Sequence, residues 1–232
     1  MVQSQDIEAG LTETVSLLDK LRMAIYHMEF APGQRLVESD LARKYDTSRG
    51  AVREAIALLQ NEGLVTRERN RSASVRPVTI EEAIEILEVR AVVEGLCAAK
   101  AAARASAEDH RVLRTLADEM TVAVKRGDVL ADSMVSDQMH TKIREIAGQQ
   151  AAAGIINRLR HQGVRYQFRV SLLPARLVQG LEEHLGIIDA VVAGDPGLAE
   201  RLSRDHFANV IEAVRRLEEM NFPPSLVAGF DR

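Results

Sequence analysis

The stretch ESDLARKYDTSRGAVREAIALLQNEGLVTRERNRSASVR, residues Glu38–Arg76, decides the fold. Ser39 or Asp40 is placed to cap a short helix with Leu41 and Ala42 on its inward face, and Tyr45-Asp46-Thr47 supplies a polar turn. Ser48 offers an N-cap hydroxyl to a second helix, whose Val52, Ile56, Leu58 and Leu59 predict a broad inward stripe, and Gly63 stands at the usual C′ position. Beyond it, Leu64-Val65-Thr66 and Ala73-Ser74-Val75 read as two strands joined by a turn at Asn70-Arg71-Ser72. Helix, turn, helix and basic hairpin together predict a winged helix-turn-helix, a module that reads double-stranded DNA.

Charge supports that reading. Between residues 41 and 78 there are eight basic side chains (Arg43, Lys44, Arg49, Arg53, Arg67, Arg69, Arg71, Arg76) and four acidic ones (Asp46, Glu54, Glu62, Glu68), whereas the whole chain carries a net charge of −4. Local basicity on an acidic background is the footprint expected of a nucleic-acid face. Arg49 and Arg53 lie four residues apart and share a side of the second helix, and the small Gly50 and Ala51 let its N-terminus approach a groove closely.

These residues resemble a known family. The runs Pro32-Gly33-Gln34-Arg35-Leu36, Leu41-Ala42, Ser48-Arg49-Gly50-Ala51-Val52-Arg53-Glu54-Ala55 and Glu62-Gly63-Leu64-Val65 look like the N-terminal domain of GntR-superfamily transcription regulators. The resemblance covers about the first third of the chain. It implies DNA contacts from Arg35, Arg49 and Arg53, with Ser48 and Gly50 at the helix start and Arg71 at the wing tip. The chain departs from the family where Gly50-Ala51 replace a frequent Thr-Pro and Ser72 replaces a frequent glycine.

Outward from this module the chain reads as helix. Thr12 or Thr14 starts a first helix with Val15, Leu18, Leu21, Ile25 and Met28 inward, and Pro32-Gly33 forces a turn. After Arg76-Pro77-Val78, Thr79-Ile80-Glu81-Glu82 reads as a capping box. Helices are expected at about 80–105, 107–126, 128–147, 150–171, 174–193 and 196–220, punctuated by Gly127, Gly148, Pro174 and Gly194-Asp195-Pro196. The expected fold is mainly α: a winged helix-turn-helix with a small β-hairpin over residues 1–77, then an antiparallel bundle of about six helices over 78–232. Hydrophobic content of 46% with only 3% aromatic residues and no Trp favours helix packing. The lone Cys97 reads as a small core hydrophobe, and a reducing cytoplasm fits a chain with no internal disulfide. With no leader pattern and no apolar run near eighteen residues, neither secretion nor membrane spanning is expected.

His140, His184 and His206 fall on three different expected helices of the bundle, where facing side chains converge on zinc or a similar divalent ion if the helices align them. Asp137, three residues before His140, is a candidate oxygen ligand. Here too the chain resembles a family. Asp137-Gln138-Met139-His140, Leu181 through Ala190 followed by Gly194-Asp195, and Arg204-Asp205-His206 look like the metal signature of the FCD effector domain in FadR and VanR branches of the same superfamily. That resemblance implies an Asp and three His. The family's Asp stands four residues before the first His, where this chain has Ser136, so either Asp137 reaches the metal or water or effector fills the fourth position. Gln149 stands where the family often has Asn.

Arg90 and Glu94 match the start of that effector domain, whose first helix commonly carries an Arg facing the ligand; an exposed Arg90–Glu94 pair is the alternative reading. Arg160, Arg165 and Tyr166 are further candidates to line the cavity, while His27, His110 and His161 read as surface or packing residues. The expected protein is a homodimeric repressor, not an enzyme. It would bind an inverted-repeat operator under control of an organic-acid effector held beside zinc. Two rival classes are a zinc-dependent hydrolase and a structural, metal-bound dimerisation block. The hydrolase lacks a His-Glu-x-x-His motif or a comparable general base.

Overall fold

A computed structural model of the chain describes residues 16–26, 29–67, 72–173 and 175–219, without the side chains of 160–165, 167, 168, 218 and 219. They form two compact units, one ending at Thr79 and the other beginning at Ile80.

In the first unit, α1 (residues 16–26) buries Leu17, Leu21, Ala24 and Ile25. Val15 and Met28, expected on that face, lie outside the described residues. Then follow β1 (Arg35–Leu36), α2 (Glu38–Lys44), α3 (Arg49–Asn61), β2 (Val65–Thr66) and β3 (Ala73–Val75). The core joins α1 to Val52, Ile56 and Leu59 of α3 and to Leu36, Val65 and Val75 of the sheet. Leu58, expected inside, is 36% exposed. Consecutive helical residues point about 100° apart, so Leu58 and Leu59 cannot share the narrow inward face defined by Val52, Ile56 and Leu59. Helix α2 starts two or three residues earlier than expected. Val37 is its N-cap and makes no side-chain cap bond, which leaves Ser39 and Asp40 inside the first turn.

The hairpin gains a third strand that periodicity does not foresee. The antiparallel sheet has the order β1-β3-β2, with Arg35 opposite Ser74 and Val65 opposite Val75. The turn at Gly33 (φ +77°) pins β1 in place: Gly33 N–H donates to the Val75 carbonyl at 2.8 Å, and Val75 N–H returns a bond to the Gln34 carbonyl at 2.9 Å. Leu36, Ala73, Val65 and Val75 face the core, while Arg35 and Thr66 face outward.

The second unit contains α4 (Ile80–Ala102), α5 (Ala107–Lys125), α6 (Val129–Ala147), α7 (Gln150–Ser171), α8 (Arg176–Val192) and α9 (Pro196–Glu219). Helix α4 packs against α6, α7, α8 and α9. Its ending at Ala102 rather than 105 reflects Ser106, which with Asp109 forms a capping box that opens α5. Gly148 closes α6 in the left-handed conformation (φ +62°), and the Asp195 carboxylate accepts from Leu198 N–H at 2.9 Å to cap α9. Small side chains bring α4 and α9 together: a Cβ added to Gly95 would sit 3.0 Å from Arg204 Cγ. The core contains Cys97, Leu113, Met120, Met139, Ile143, Ile156, Ile187 and Val191. Burial pushes the Cys97 thiol up to about 11, the state of an inert packing residue. No helix among the described residues is long and apolar enough to cross a membrane.

Candidate metal centre and nucleic-acid interface

The N-terminus of α3 is built by one hydroxyl. Ser48 sits in extended backbone and its Oγ accepts from Ala51 N–H at 3.1 Å, which turns the chain so that Arg49, Gly50 and Arg53 lie on the exposed side of the helix. Ala51 points the other way, into the core. Arg35 faces outward on β1, and Arg71 lies outside the described residues.

Glu38, at the start of α2, was not among the residues singled out by sequence. Its carboxylate accepts from Arg53 at 3.0 Å and lies 3.6 Å from Arg67. The hydrogen bond from Arg53, helped by the charges of Arg67 and Arg49, holds this carboxyl below its usual range. Glu38, Arg49 and Arg67 line a cleft of about 510 Å³ together with Leu36, Ile56 and Ala73. One carboxylate thus stands among three exposed arginines where a polyanion would bind. The only signal for it was its place one turn ahead of Leu41. The contact with Arg53 spans fifteen residues and depends on how α2 crosses α3.

In the second unit His140 (α6), His184 (α8) and His206 (α9) come together, with one ligating nitrogen of each lying within 4.8 Å of the others. Ring centroids are separated by 5.3 Å (His140–His184), 5.5 Å (His140–His206) and 4.6 Å (His184–His206). Burial, reinforced by mutual repulsion and by Arg144 and Arg90, keeps His140 protonation well below its ordinary range. Burial with His206 and Arg176 does the same for His184. His206 is lowered by burial but partly restored by its bond to Glu183. All three are therefore neutral imidazoles at neutral pH, the form that binds metal.

The residues fit a divalent ion. The His184 Nδ1 atom is buried with no hydrogen-bond partner, a costly state that a ligand would relieve. The His206 Nδ1 lies 2.7 Å from a Glu183 carboxylate oxygen, which fixes the tautomer and leaves Nε2 for the cluster. Glu183 is held in turn by both terminal nitrogens of Arg176, at 3.0 and 2.8 Å, and by Asn209 at 2.9 Å. Arg176 and Glu183 are seven residues apart on α8, two turns on one face.

Asp137 does not join the cluster. Three residues turn a helix by about 300°, which swings Asp137 off the line of His140, whereas Ser136 lies closer to that line. Ser136 donates back to the Ser133 carbonyl at 3.1 Å, so α6 offers no carboxylate at the His140 level. Asp132, two turns before His140, is buried. Its Oδ1 has no partner, and burial pushes the carboxyl up to about 6 despite the nearby charge of Arg176.

Arg90 does pair with Glu94, at 3.2 Å, but in the interior rather than on an exposed face. Glu94 also accepts from Arg144 at 3.0 Å, and the Arg90 guanidinium lies 4.9 Å from the centre of the Phe207 ring. Phe207 meets His206 edge to face, with ring centroids 5.2 Å apart, which links this ion cluster to the histidines. Arg90, Arg144 and Arg176 are thus matched by Glu94, Glu183 and Asp132. A divalent ion on neutral imidazoles would leave an excess of positive charge for an anion to neutralise. Tyr166 is half-buried on α7; the side chains of Arg160 and Arg165 lie outside the described residues.

Comparison with known proteins agrees with both parts. Residues 14–75 match the family model of bacterial regulatory proteins, gntR family, and residues 85–209 match the FCD domain. The HTH-type transcriptional repressor RspR of Escherichia coli (strain K12) is 26% identical over 203 residues, covering 87% of this chain and 88% of RspR. Among solved structures, E. coli McbR/YncC superposes with a TM-score of 0.78 at 20% identity, covering 89% of this chain and 98% of that one. The structure of Lar, which controls the expression of the Listeria monocytogenes agr system, superposes with a TM-score of 0.62 at 21% identity, over 88% of this chain and 97% of that one. A DNA-reading head and an effector-binding helical unit are therefore not a chance pairing in this sequence: the chain belongs to the GntR family of DNA-binding transcription regulators, in the branch that carries an FCD domain.

Proposed function

We propose that this protein is a cytoplasmic, homodimeric repressor whose grip on an inverted-repeat operator is set by an organic acid bound beside zinc. Residues 1–77 read DNA in this scheme, and residues 78–232 hold metal and effector. Arg49 and Arg53 enter the major groove from α3, with Ser48 and Gly50 at its start. Arg35 and Arg71 reach the flanking backbone or minor groove. His140, His184 and His206 hold the ion, and water or the effector carboxylate takes the fourth position in place of Asp137. Bound there, zinc supplies a Lewis-acidic anchor for a carboxylate. Arg90, on the Phe207 side of the cluster, adds a fixed positive charge for the same ligand.

The observation that carries this reading is the convergence of three neutral imidazoles, one with an orphaned nitrogen, inside an FCD domain. The repressor assignment draws on similarity to RspR. An effector can shift DNA binding only through unequal affinity for the two arrangements of the DNA-reading heads. The test is elemental analysis of protein purified without chelator, followed by anisotropy titrations on genomic fragments with and without a panel of small acids. One zinc per chain, lost in His184→Ala, and an acid that weakens one high-affinity fragment are expected. Absence of bound metal together with no zinc uptake would overturn the metal assignment, and absence of any preferred fragment would overturn the operator.

A further inference from the structure

Two rows of side chains lead away from the histidine cluster. On α6, Asp132, Ser136 and His140 recur every four residues, and on α8 so do Arg176, Gly180 and His184, a spacing that keeps each row on one side of its helix. His140 meets His184 at 5.3 Å between ring centroids, and eight residues earlier on each helix Asp132 feels the charge of Arg176. Both rows therefore run the same way, from an Asp132–Arg176 end to the histidines about 12 Å further along. The level between carries little bulk. Ser136 turns its hydroxyl back to the Ser133 carbonyl, and Gly180 has no side chain.

Asp132 is the anomaly at the far end. It is only 7% exposed, yet its Oδ1 is buried without a hydrogen-bond partner. Arg176 does not satisfy it, because both terminal nitrogens of that guanidinium are held by Glu183, at 3.0 and 2.8 Å, beside Gly180. A buried carboxylate oxygen left in this state is costly, and a ligand that donates to it removes the cost. At pH 7.5, above its value of about 6, the group is ionised and can only accept. A hydroxyl answers it better than an ammonium. A divalent ion on the histidines, with Arg90, Arg144 and Arg176 against Glu94, Glu183 and Asp132, would already leave the region positive, so a further cation is disfavoured. A second carboxylate at that end would face Asp132 charge to charge. We infer that Asp132 determines the class of effector: its carboxylate accepts from a hydroxyl at the end of the ligand remote from the metal, which selects a hydroxy acid over a plain or a dicarboxylic acid. This rests on the organic-acid reading above and adds the chemistry of the ligand's other end. With the carboxylate at the histidines, the span places the hydroxyl about four to six carbons away.

The test titrates the full chain, supplied with zinc, by calorimetry at pH 7.5. The probes are straight-chain acids from butanoate to heptanoate, each as the plain acid, the ω-hydroxy acid and the α,ω-dicarboxylic acid. At the chain length that fits, the hydroxy acid should bind about ten- to a hundredfold tighter than the plain acid, with the dicarboxylic acid weakest. Asp132→Ala should abolish the hydroxyl preference while leaving the plain acid's affinity, and the isosteric Asp132→Asn should raise the affinity for the dicarboxylic acid. Zinc content and far-UV circular dichroism should match the parent in both variants, because Asp132 stands two turns from His140. Plain acids that bind as tightly as their hydroxy counterparts, or a hydroxyl preference that survives Asp132→Ala, would overturn the role of Asp132 alone. No binding by any acid of the panel would overturn it together with the organic-acid reading.

Discussion

With chelator present to exclude any metal, the helical unit should lose stability in mild acid by an amount that the clustered histidines set. His140 and His184 are held well below their ordinary value of 6.5 in the folded chain and return to it on unfolding. Between pH 6.5 and their folded pKa values the unfolded state binds more protons, so stability falls as the pH falls. Going from pH 7.5 to 5.5, each imidazole that stays neutral when folded costs roughly 1 kcal/mol, and the pair roughly 2–3 kcal/mol. Asp132 works against them. Its carboxyl is pushed from 3.8 up to about 6, so below pH 6 the folded chain takes up this proton first and gains up to about 1 kcal/mol at pH 5.5. His206 shifts in the same direction as the other two, and Glu183, held below its usual range, titrates beneath the window. The net expectation is a loss on the order of 2 kcal/mol. Urea denaturation followed by circular dichroism at pH 7.5, 6.5 and 5.5, at constant ionic strength, measures it. His184→Gln removes one titrating group and should shrink the loss by roughly 1 kcal/mol. Equal stability at the two ends of the range, or an undiminished loss in His184→Gln, would refute the burial and neutrality of this cluster.

Other consequences are equally concrete. Glu183→Gln weakens the hold on His206 and should lower zinc affinity by about 10–100-fold, read by competition with a chromophoric chelator; unchanged affinity would remove Glu183 from the support of the site. Glu38→Gln removes the anion among Arg49, Arg53 and Arg67, so binding to random-sequence duplex should tighten a few-fold and preference for the operator should narrow. The opposite pair of changes in anisotropy titrations would show that Glu38 does not hold these arginines back. Arg49→Ala should cost about 1–3 kcal/mol of discrimination between operator and random duplex. Leu59→Ala empties a fully buried position on α3 and should cost about 2–5 kcal/mol in the denaturation of the N-terminal unit, whereas Leu58→Ala on the exposed side should cost far less.

What was legible in the sequence was what short-range chemistry dictates. The Ser48 cap, the left-handed Gly63 and three of the four inward positions of α3 (Val52, Ile56 and Leu59, but not Leu58) follow from bonds and angles within one helix and stand as expected. The two-residue strand β1 was not legible, because so short a segment has no periodicity and exists only through its bonds to β3. Likewise the three histidines, 44 and 22 residues apart along the chain, carry no signal of their own that they meet; resemblance to a family singled them out, and helix packing brings them together. The shell around them was less legible still. Arg144 and Arg176 carry no mark in the sequence, and Glu183 stands within a motif without a role of its own there, because their partners lie across helix interfaces.

That shell bears on how the proposed zinc site would sense its ligand. A carboxylate on α6 at the level of His140 would neutralise half the ion's charge and occupy the fourth position. Ser136 stands there instead, turned back on its own helix, and Asp137 is carried aside by the helical twist. The Glu183 carboxylate binds a ring nitrogen of His206, so it orients that imidazole while its charge is already shared with Arg176 and Asn209. An ion held only by neutral imidazoles keeps its full double charge and a free coordination position. Both favour an incoming carboxylate over water, and burial strengthens that preference because the competing solvent is excluded. By linkage, an acid that binds the ion must hold the ion in place by the same free energy. In the proposed zinc site, the missing carboxylate would therefore make metal and effector mutually dependent, which suits a sensor whose metal is part of the ligand's own binding site.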